Sequence, residues 1–200
     1  MTILILSDLL YTTAVNKSIV YKFKSLLRRT DVKKTNSTKK IVVAALLCAL
    51  VCVATMIIKI PSPLKGYLNL GDGVVLIAGF LLSPTYAFLS AGLGSALADL
   101  LSGYVIYAPA TFFIKGIMAL VTFFTFKVLN KKIKKLPSRI VAGILSEIVM
   151  VGGYLLFEGV LYGFGASLVN VPPNIIQGIV GIILSCTIMT FFENSKIAKL

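Results

Sequence analysis

Five ionisable side chains lie within or beside long apolar segments of this sequence: Asp72, Asp99, Lys115, Glu147 and Glu158. A charge buried in a membrane costs free energy, so each of these residues needs a partner or a function. Two interpretations are open for Lys115. It forms a structural ion pair with Asp72 or Asp99 that holds the helices together, or it contacts an anionic or polar group of a bound molecule. Glu147, near the middle of its segment, is a further candidate for ligand contact.

Amide and phenol groups form a second set of candidates. Asn174 and Gln177 open the last apolar segment, and their spacing of three residues places them on one helix face. Two such amides could hydrogen-bond a heterocycle or a carbonyl group, although Asn174 would also serve as a helix cap. Tyr67 and Asn69 lie in a loop and are candidate ligand contacts. A place in the interfacial aromatic belt is the other interpretation of Tyr67.

Several kinds of chemistry lack the residues that they need. The sequence contains no His, which excludes histidine acid–base catalysis and a Ser–His nucleophile pair. It contains no P-loop motif, so the chain cannot drive transport with ATP by itself. It also has no carboxylate pair with metal-ligand spacing. We therefore predict that the protein is not an enzyme and holds neither a metal nor a cofactor.

The composition indicates the setting in which these groups act. Of the 200 residues, 58% are hydrophobic and 14% are charged, whereas soluble domains average about 45–50% and about 25%. The net charge of +13 lies between the apolar segments, which indicates membrane topology and not nucleic-acid binding. The sequence thus predicts one all-α integral membrane domain.

Six apolar segments are candidates for helices that cross the bilayer. They are approximately Lys40–Ile60, Leu68–Leu82, Pro84–Tyr104, Ala108–Leu129, Ile140–Phe157 and Pro172–Phe192. Proline stands at the start of several of these segments, where a helix tolerates it best. The second segment is short for a crossing, so either the bilayer thins there or protein covers its ends.

Basic residues predict the orientation of the segments. Nine Lys and Arg residues lie between positions 17 and 40, and six lie between positions 127 and 139. Lys and Arg favour the cytoplasmic side, so an even number of crossings must separate the two clusters. Four crossings satisfy this condition, so the second segment crosses and both termini are cytoplasmic. We predict a basic cytoplasmic extension over 1–39, a six-helix membrane domain over 40–192 and a cytoplasmic tail over 193–200.

Other features of the segments point to contacts. Ala45 and Ala49 form a small-xxx-small pair in the first segment, which lets another helix approach closely. Packing inside the bundle is the alternative interpretation of this pair. The predicted outside loops, Ser62–Asn69, Tyr104–Tyr107 and Glu158–Val171, are rich in Tyr, Gly, Asn and Pro. That composition is suited to a binding site.

Together these residues resemble the substrate-binding S component of energy-coupling factor (ECF) transporters, the vitamin importers of bacteria and archaea. The resemblance covers about Lys39–Phe192. The motifs that carry it are Ala45-x-x-x-Ala49, Gly71-Asp72-Gly73, Gly79-Phe80-Leu81-Leu82-Ser83-Pro84, Ala98-Asp99-Leu100-Leu101-Ser102-Gly103, Lys115-Gly116 and the Asn174/Gln177 pair.

The resemblance implies a function and a set of partners. S components lie in the prokaryotic plasma membrane and bind a vitamin or its precursor from outside. They then dock on a shared membrane subunit driven by two ATPases, and toppling of the S component is thought to deliver the vitamin. The cavity of the family would place Tyr67, Lys115 and the Asn174/Gln177 pair around the ligand. Its alanine motif would give Ala45 and Ala49 the docking role.

The substrate stays open among three classes. Thiamine binders of the family use tryptophan stacking, and this chain has no Trp. In its overall proportions the chain resembles the S components of the family that bind pyridoxine, hydroxymethylpyrimidine or pantothenate. Lys115 would suit a carboxylate such as that of pantothenate, whereas the two amides would suit a pyridine or pyrimidine. The alternatives are a self-sufficient secondary carrier or channel with an Asp99/Lys115 relay, and a structural membrane assembly subunit.

Overall fold

The computed structural model describes residues 37–62 and 66–194, and within them the chain is a helical bundle. Its six long helices are α1 (Ser37–Ile57), α2 (Gly71–Leu81), α3 (Pro84–Leu101), α4 (Ala108–Leu129), α5 (Lys135–Tyr162) and α6 (Val171–Asn194). The predicted extension lies outside the described residues except for its last three positions, which begin α1. The end of the predicted tail also lies outside them.

A small hairpin interrupts the helical pattern between α1 and α2. Its strands are β1 (Ile60–Pro61) and β2 (Tyr67–Leu68), which pair antiparallel with Ile60 opposite Leu68. The sequence predicted a helix from Leu68, but α2 begins only at Gly71. The hairpin therefore occupies part of the predicted second segment and carries Tyr67 towards the bundle.

The helix boundaries agree best with the sequence where proline marks a start. Helix α4 matches the predicted segment, and α3 begins at Pro84 as expected. Helix α5 extends five residues beyond its prediction at each end. The predicted loop Glu158–Val171 was wrong, because α5 runs through Glu158 and a helical turn (Phe164–Ser167) and a 3-10 turn (Leu168–Asn170) follow.

Polar partners explain the extra length of α5. At its first turns, Arg139 is only 2% exposed and donates to Glu193 of α6 at 2.7 Å, and Lys135 lies 3.1 Å from the same oxygen. The guanidinium carbon of Arg139 also lies 5.8 Å from the centroid of the Phe126 ring. The charge of Arg139 is thus paired inside the bundle, and α5 begins before this residue.

Four helical stretches in the described residues are long and apolar enough to cross a membrane: Thr38–Ile57, Ala108–Leu129, Lys135–Tyr162 and Phe164–Glu193. Helix α2 is apolar but has only 11 residues, a length of about 17 Å. Every residue from Gly71 to Gly79 is buried, and α2 packs against α1, α3, α4 and α6. Because other helices surround it, α2 does not need to match the thickness of the lipid.

Glycines set the distance at which α3 packs on its neighbours. A side chain at Gly94 would overlap the Cys48 carbonyl oxygen of α1 and would lie 2.8 Å from the Val51 Cβ. A side chain at Gly92 would lie 2.6 Å from the Phe112 carbonyl oxygen of α4. Helix α3 therefore lies in backbone contact with α1 on one side and α4 on the other.

A buried ion pair joins the centre of the bundle. The Lys115 ammonium of α4 contacts the Asp72 carboxylate of α2, and these side chains are 3% and 0% exposed. Gln177 of α6 donates from Nε2 to the second carboxylate oxygen of Asp72 at 2.7 Å. Of the two partners that the sequence allowed for Lys115, the structure selects Asp72. The Asp72 carboxylate thus connects α2 with α4 and α6.

The close approach of α3 to α1 predicts a contrast between two glycines. Gly94→Ala should lower the free energy of unfolding by about 1–3 kcal/mol, because the added methyl meets backbone that cannot move freely. Gly152→Ala is the matched control, since a Cβ there meets nothing within 4 Å; it should leave stability unchanged or raise it by up to about 1 kcal/mol. Thermal unfolding in detergent, followed by far-ultraviolet circular dichroism, measures both. Equal stability of the two variants would refute the argument.

The central ion pair predicts a rescue by a second substitution. Lys115→Met should cost about 3–5 kcal/mol, because it leaves the Asp72 carboxylate buried without its cation. Adding Asp72→Asn removes that charge and keeps an oxygen for Gln177, so the double variant should recover much of the loss. The same unfolding assay compares the wild type with Lys115→Met, Asp72→Asn and the double variant. A Lys115→Met protein as stable as the wild type would contradict the proposed weight of this pair.

Candidate functional site

A polar cavity lies where the hairpin meets the ends of α3, α4, α5 and α6. Its volume is about 30 Å³, enough for roughly two water molecules. All three predicted outside loops contribute to it: Tyr67 comes from the hairpin, Tyr107 from the turn before α4, and Glu158 and Asn170 from the α5–α6 region. The interpretation of these loops as binding-site material therefore agrees with the geometry.

Asn69 connects the hairpin to the first turn of α2. Its Oδ1 accepts a hydrogen bond from the Gly71 backbone N–H at 2.9 Å, and its own backbone N–H donates to Gln177 Oε1 at 2.8 Å. Gly71 is required here, because a Cβ at that position would lie 2.8 Å from Asn69 Oδ1 and would overlap the Thr55 hydroxyl. The loop is thus held at a fixed distance from α6.

Tyr67 forms the wall of the cavity next to α3. Its hydroxyl donates to Asp99 Oδ1 at 2.7 Å, and its ring centroid lies 4.7 Å from that of Tyr104. Burial and the neighbouring Asp99 carboxylate raise the pKa of the Tyr67 hydroxyl well above its ordinary value. The phenol therefore stays protonated and acts as a hydrogen-bond donor.

Residues of α4 and α5 complete the lining. The hydroxyls of Thr111 and Tyr154 lie 3.1 Å apart and share a hydrogen bond. Glu158 Oε1 accepts from Asn170 Nδ2 at 2.8 Å, and the Tyr107 hydroxyl lies 3.4 Å from the same oxygen. These contacts fix polar side chains from four different parts of the chain around one small space.

Gln177 connects the cavity with the central ion pair. It lines the cavity, accepts from Asn69 and donates to Asp72. Lys115 does not line the cavity and lies beyond Asp72, with its Nζ 5.4 Å from the centroid of the Tyr154 ring. A ligand group that binds to Gln177 is therefore separated from Lys115 by the Gln177–Asp72 and Asp72–Lys115 contacts.

The structure brings together four of the six ligand contacts predicted from the sequence: Tyr67, Asn69, Asn174 and Gln177. Lys115 lies one layer deeper. Glu147 lies apart from the cavity, packed against Gly178 and Gly181 of α6, where an added Cβ would lie 3.0 Å and 3.2 Å from Glu147 atoms.

Asp99 differs from its predicted role. It lines the cavity and accepts from Tyr67, and among the described residues it forms no ion pair within 4.0 Å. Asp99 does not pair with Lys115 because the Lys115 ammonium is already paired with the Asp72 carboxylate. A direct Asp99–Lys115 relay, which the carrier alternative needs, is likewise not formed in this arrangement.

Sequence reasoning missed two lining residues, Thr111 and Tyr154, and it included a third, Asn170, only as part of the predicted loop Glu158–Val171. Both missed residues carry a usable signal, because Thr111 lies four residues before Lys115 and Tyr154 lies four residues before Glu158. Such spacing puts each on the helix face of an ionisable residue. Asn170 has no comparable signal, since its position depends on the turns that join α5 to α6.

Helix α1 presents two different faces. Ala44, Leu47 and Val51 are buried against the bundle. Ala45 and Ala49 are exposed on the outside of the described bundle. The small-residue pair thus does not serve packing inside the bundle and leaves a smooth outer surface on α1.

The chain matches the family described as ECF-type riboflavin transporter, S component, over residues 35–193. This match confirms the resemblance stated from the sequence. It also agrees with the prediction that the protein is not an enzyme, because the family is a transporter component.

Two relatives are similar to this chain in sequence. An uncharacterized protein encoded in the gap 3′ region of Pyrococcus woesei is 37% identical over 136 residues, which cover 67% of this chain and 88% of that protein. The thiamine precursor transporter HmpT of Lactococcus lactis subsp. cremoris (strain MG1363) is 30% identical over 162 residues, which cover 80% of this chain and 90% of the transporter.

Solved structures share the fold. The S component of a bacterial ECF transporter superposes with a TM-score of 0.59 at 24% identity, covering 80% of this chain and 98% of that one. The S component for biotin of an ECF-type ABC transporter gives a TM-score of 0.54 at 19% identity, covering 79% and 95%. Family, relatives and fold agree: this chain is an integral membrane protein that belongs to the ECF-type riboflavin transporter S-component family.

Proposed function

We propose that this protein captures a vitamin or vitamin precursor from outside the cell and delivers it by docking on a shared membrane coupling subunit with two ATPases. The observation that carries the proposal is the polar cavity at one end of the bundle. It collects Tyr67, Asn69, Asn174 and Gln177 from segments that are distant in sequence. Polar groups that converge from separate elements are typical of a small-molecule site.

The proposed topology puts this cavity on the outer side. Each of the six long helices crosses the membrane, and both termini are cytoplasmic. The basic cluster between α4 and α5 then lies inside, at the opposite end of α4 and α5 from the cavity-lining Thr111 and Glu158. The same arrangement keeps Arg139 and Glu193 at the cytoplasmic end.

The lining must separate before a vitamin can bind. The cavity of about 30 Å³ is far smaller than the sites of several hundred Å³ that enclose small ligands. The Asn69–Gln177 hydrogen bond holds the end of the hairpin against α6 at this cavity. A ligand that bonds to the Gln177 amide would replace this contact and open the site without breaking the central ion pair.

The Lactococcus lactis relative supports one of the substrate classes inferred from the sequence. That protein is a thiamine precursor transporter, which fits the hydroxymethylpyrimidine type. Pyridoxine has a similar ring and similar hydrogen-bonding groups. The amides of Asn69, Asn174 and Gln177 suit the donors and acceptors of such heterocycles.

The outer face of α1 is the proposed docking surface for the coupling subunit. Ala45 and Ala49 are exposed there, beside the apolar side chains of Val42, Leu46 and Val53. Small residues let the backbones of two membrane helices approach closely. The inner face of α1 is already used by α3, so docking would not disturb the bundle.

Denaturation of the purified protein, expressed in rich medium, should release one vitamin-like compound at about one per chain, identified by mass spectrometry. Gln177→Ala should reduce the affinity for that compound at least about tenfold, since it removes a buried hydrogen-bonding group at the cavity. Ser185→Ala on the same helix is the control, because its Oγ donates to the Ile182 carbonyl of α6 and Ser185 is not among the described residues that line the cavity. Release of no compound from the wild type, together with no binding of the vitamins above, would overturn capture.

Ala45→Trp should block docking and leave ligand binding intact. The indole would occupy the space that a partner helix needs, so the variant should fail to co-purify with the coupling subunit and the ATPases. The control is Ile148→Trp on α5, where the native side chain is 62% exposed. Because the chain contains no Trp, emission from the single indole also reports the environment of each position. Normal assembly of the Ala45→Trp variant would contradict the assigned surface.

A further inference from the structure

Glu147 is a buried ionisable residue that belongs neither to the cavity nor to the central ion pair. It lies in the middle part of α5 and is 6% exposed. Both of its carboxyl oxygens are buried, and neither has a hydrogen-bond partner among the described residues. A buried charge needs a counter-charge or hydrogen bonds to offset the loss of water. The surroundings of Glu147 therefore decide whether its carboxyl group can be charged.

Two glycines of α6 let Glu147 approach the centre of the bundle. A Cβ at Gly178 would lie 3.0 Å from Glu147 Oε2, and a Cβ at Gly181 would lie 3.2 Å from Oε1. The same Gly181 position is 2.9 Å from the Cβ of Asp72. The Gly73 backbone N lies 3.3 Å from that position but donates to neither Glu147 oxygen. Only the space of the missing Gly181 side chain thus separates Glu147 from Asp72.

On the surface of the bundle, Glu147 borders an apolar groove between α5 and α6. The other described residues that line this groove are all isoleucine, valine or glycine, among them Ile148 and Ile175. In a membrane the groove meets lipid chains, which offer neither a cation nor a hydrogen-bond donor. The groove therefore supplies no counter-charge to Glu147.

The cation at the centre of the bundle is already paired. Lys115 contacts Asp72, which is the single charged residue of α2, and Glu147 has no ion pair among the described residues. The other charged residues of α4, α5 and α6 lie nearer the helix ends: Lys127, Lys135, Arg139, Glu158 and Glu193. Arg139 is paired with Glu193. Two carboxyl groups at the centre therefore share one ammonium group.

The charge of the centre follows from a count of its groups. With both carboxyl groups ionised, Asp72, Glu147 and Lys115 would carry one net negative charge in an apolar interior. Two carboxylates in one buried site repel each other, and such a pair retains a proton. Tyr154 of α5 faces the same lysine at 5.4 Å, but its phenol is neutral at pH 7 and adds no charge. One added proton makes the centre neutral.

We propose that the centre of the bundle is a proton-binding site, in which Glu147 carries its proton at neutral pH because Asp72 uses the central lysine. Asp72 is the ionised member, since Lys115 and Gln177 both donate to it. The protonated Glu147 is a hydrogen-bond donor, and it faces Asp72 across Gly181. This proton belongs to the scaffold, so its presence does not depend on which compound the cavity binds.

Infrared spectroscopy of the full chain in lipid nanodiscs tests for the proton at pH 7, where an exposed glutamate is ionised. A protonated carboxyl group has a carbonyl stretch that a carboxylate lacks. The difference spectrum between the wild type and Glu147→Gln should contain this band, with the intensity of a single group per chain and a shift in D₂O. Glu193→Gln is the matched control, because Glu193 is paired with Arg139 and Lys135. Its difference spectrum should contain a carboxylate band instead.

The second test removes the competing carboxylate. In Asp72→Asn the central Lys115 loses its anion, so Glu147 should release its proton and neutralise the lysine. An opposite charge nearby favours the ionised form of a carboxyl group, and the Glu147 band should therefore lose at least about nine-tenths of its intensity. The band is obtained from the difference between Asp72→Asn and the double variant that also carries Glu147→Gln.

The two spectra decide the proposal together. Absence of the band from the first difference spectrum would mean that Glu147 is ionised in the folded protein, and the proposal would fail. A band of equal intensity with and without the Asp72 carboxylate would also overturn it, because the proton would not depend on competition for Lys115. Presence in the wild type and loss in Asp72→Asn supports it. Circular dichroism verifies that each variant is folded; should Asp72→Asn unfold, the first spectrum decides alone.

Discussion

The contact on which the rest of this structure depends is the buried pair of Lys115 and Asp72. Both charges lie in the apolar interior, where neither would be tolerated alone. The pair therefore forces α2 and α4 into one relative position, and the bond from Gln177 adds α6. The short helix α2 can then lie enclosed by the others, although it is too short to face lipid along the thickness of a bilayer. The central position of α2 follows from electrostatics as much as from its apolar side chains.

The cavity extends this polar network to the end of the bundle. Gln177 is shared between the two, because it contacts Asp72 on one side and Asn69 on the other. Charge is distributed unevenly along the network: the ion pair is neutral as a unit, whereas Asp99 and Glu158 in the wall each have one buried oxygen without a hydrogen-bond donor among the residues that the structure describes. Both oxygens of Asp72 have partners, so the ion pair serves the fold, whereas the lining keeps hydrogen-bonding capacity at the cavity.

On helix α1, a shift of one residue separates buried positions from exposed ones. Ala44 and Val51 turn inwards, and the backbone of Cys48 receives the close approach of Gly94. Ala45 and Ala49 turn outwards on the next helical positions. A substitution on the outer face can therefore change what the protein meets in the membrane without a change in how it folds.

The sequence by itself determined the helical membrane class, most helix starts and the residue types of the site. Those features follow from local rules: apolar length, proline at a first turn, and polar residues in loops. It could not decide which carboxylate pairs with Lys115, because Asp72 and Asp99 are equally suited by type and depth. Nor could it single out Tyr154 as a lining residue or show that Glu147 lies apart from this cavity. Those outcomes depend on the rotation of each helix and on the α5–α6 turns, which are set by backbone contacts at glycines and by polar partners far apart in the chain.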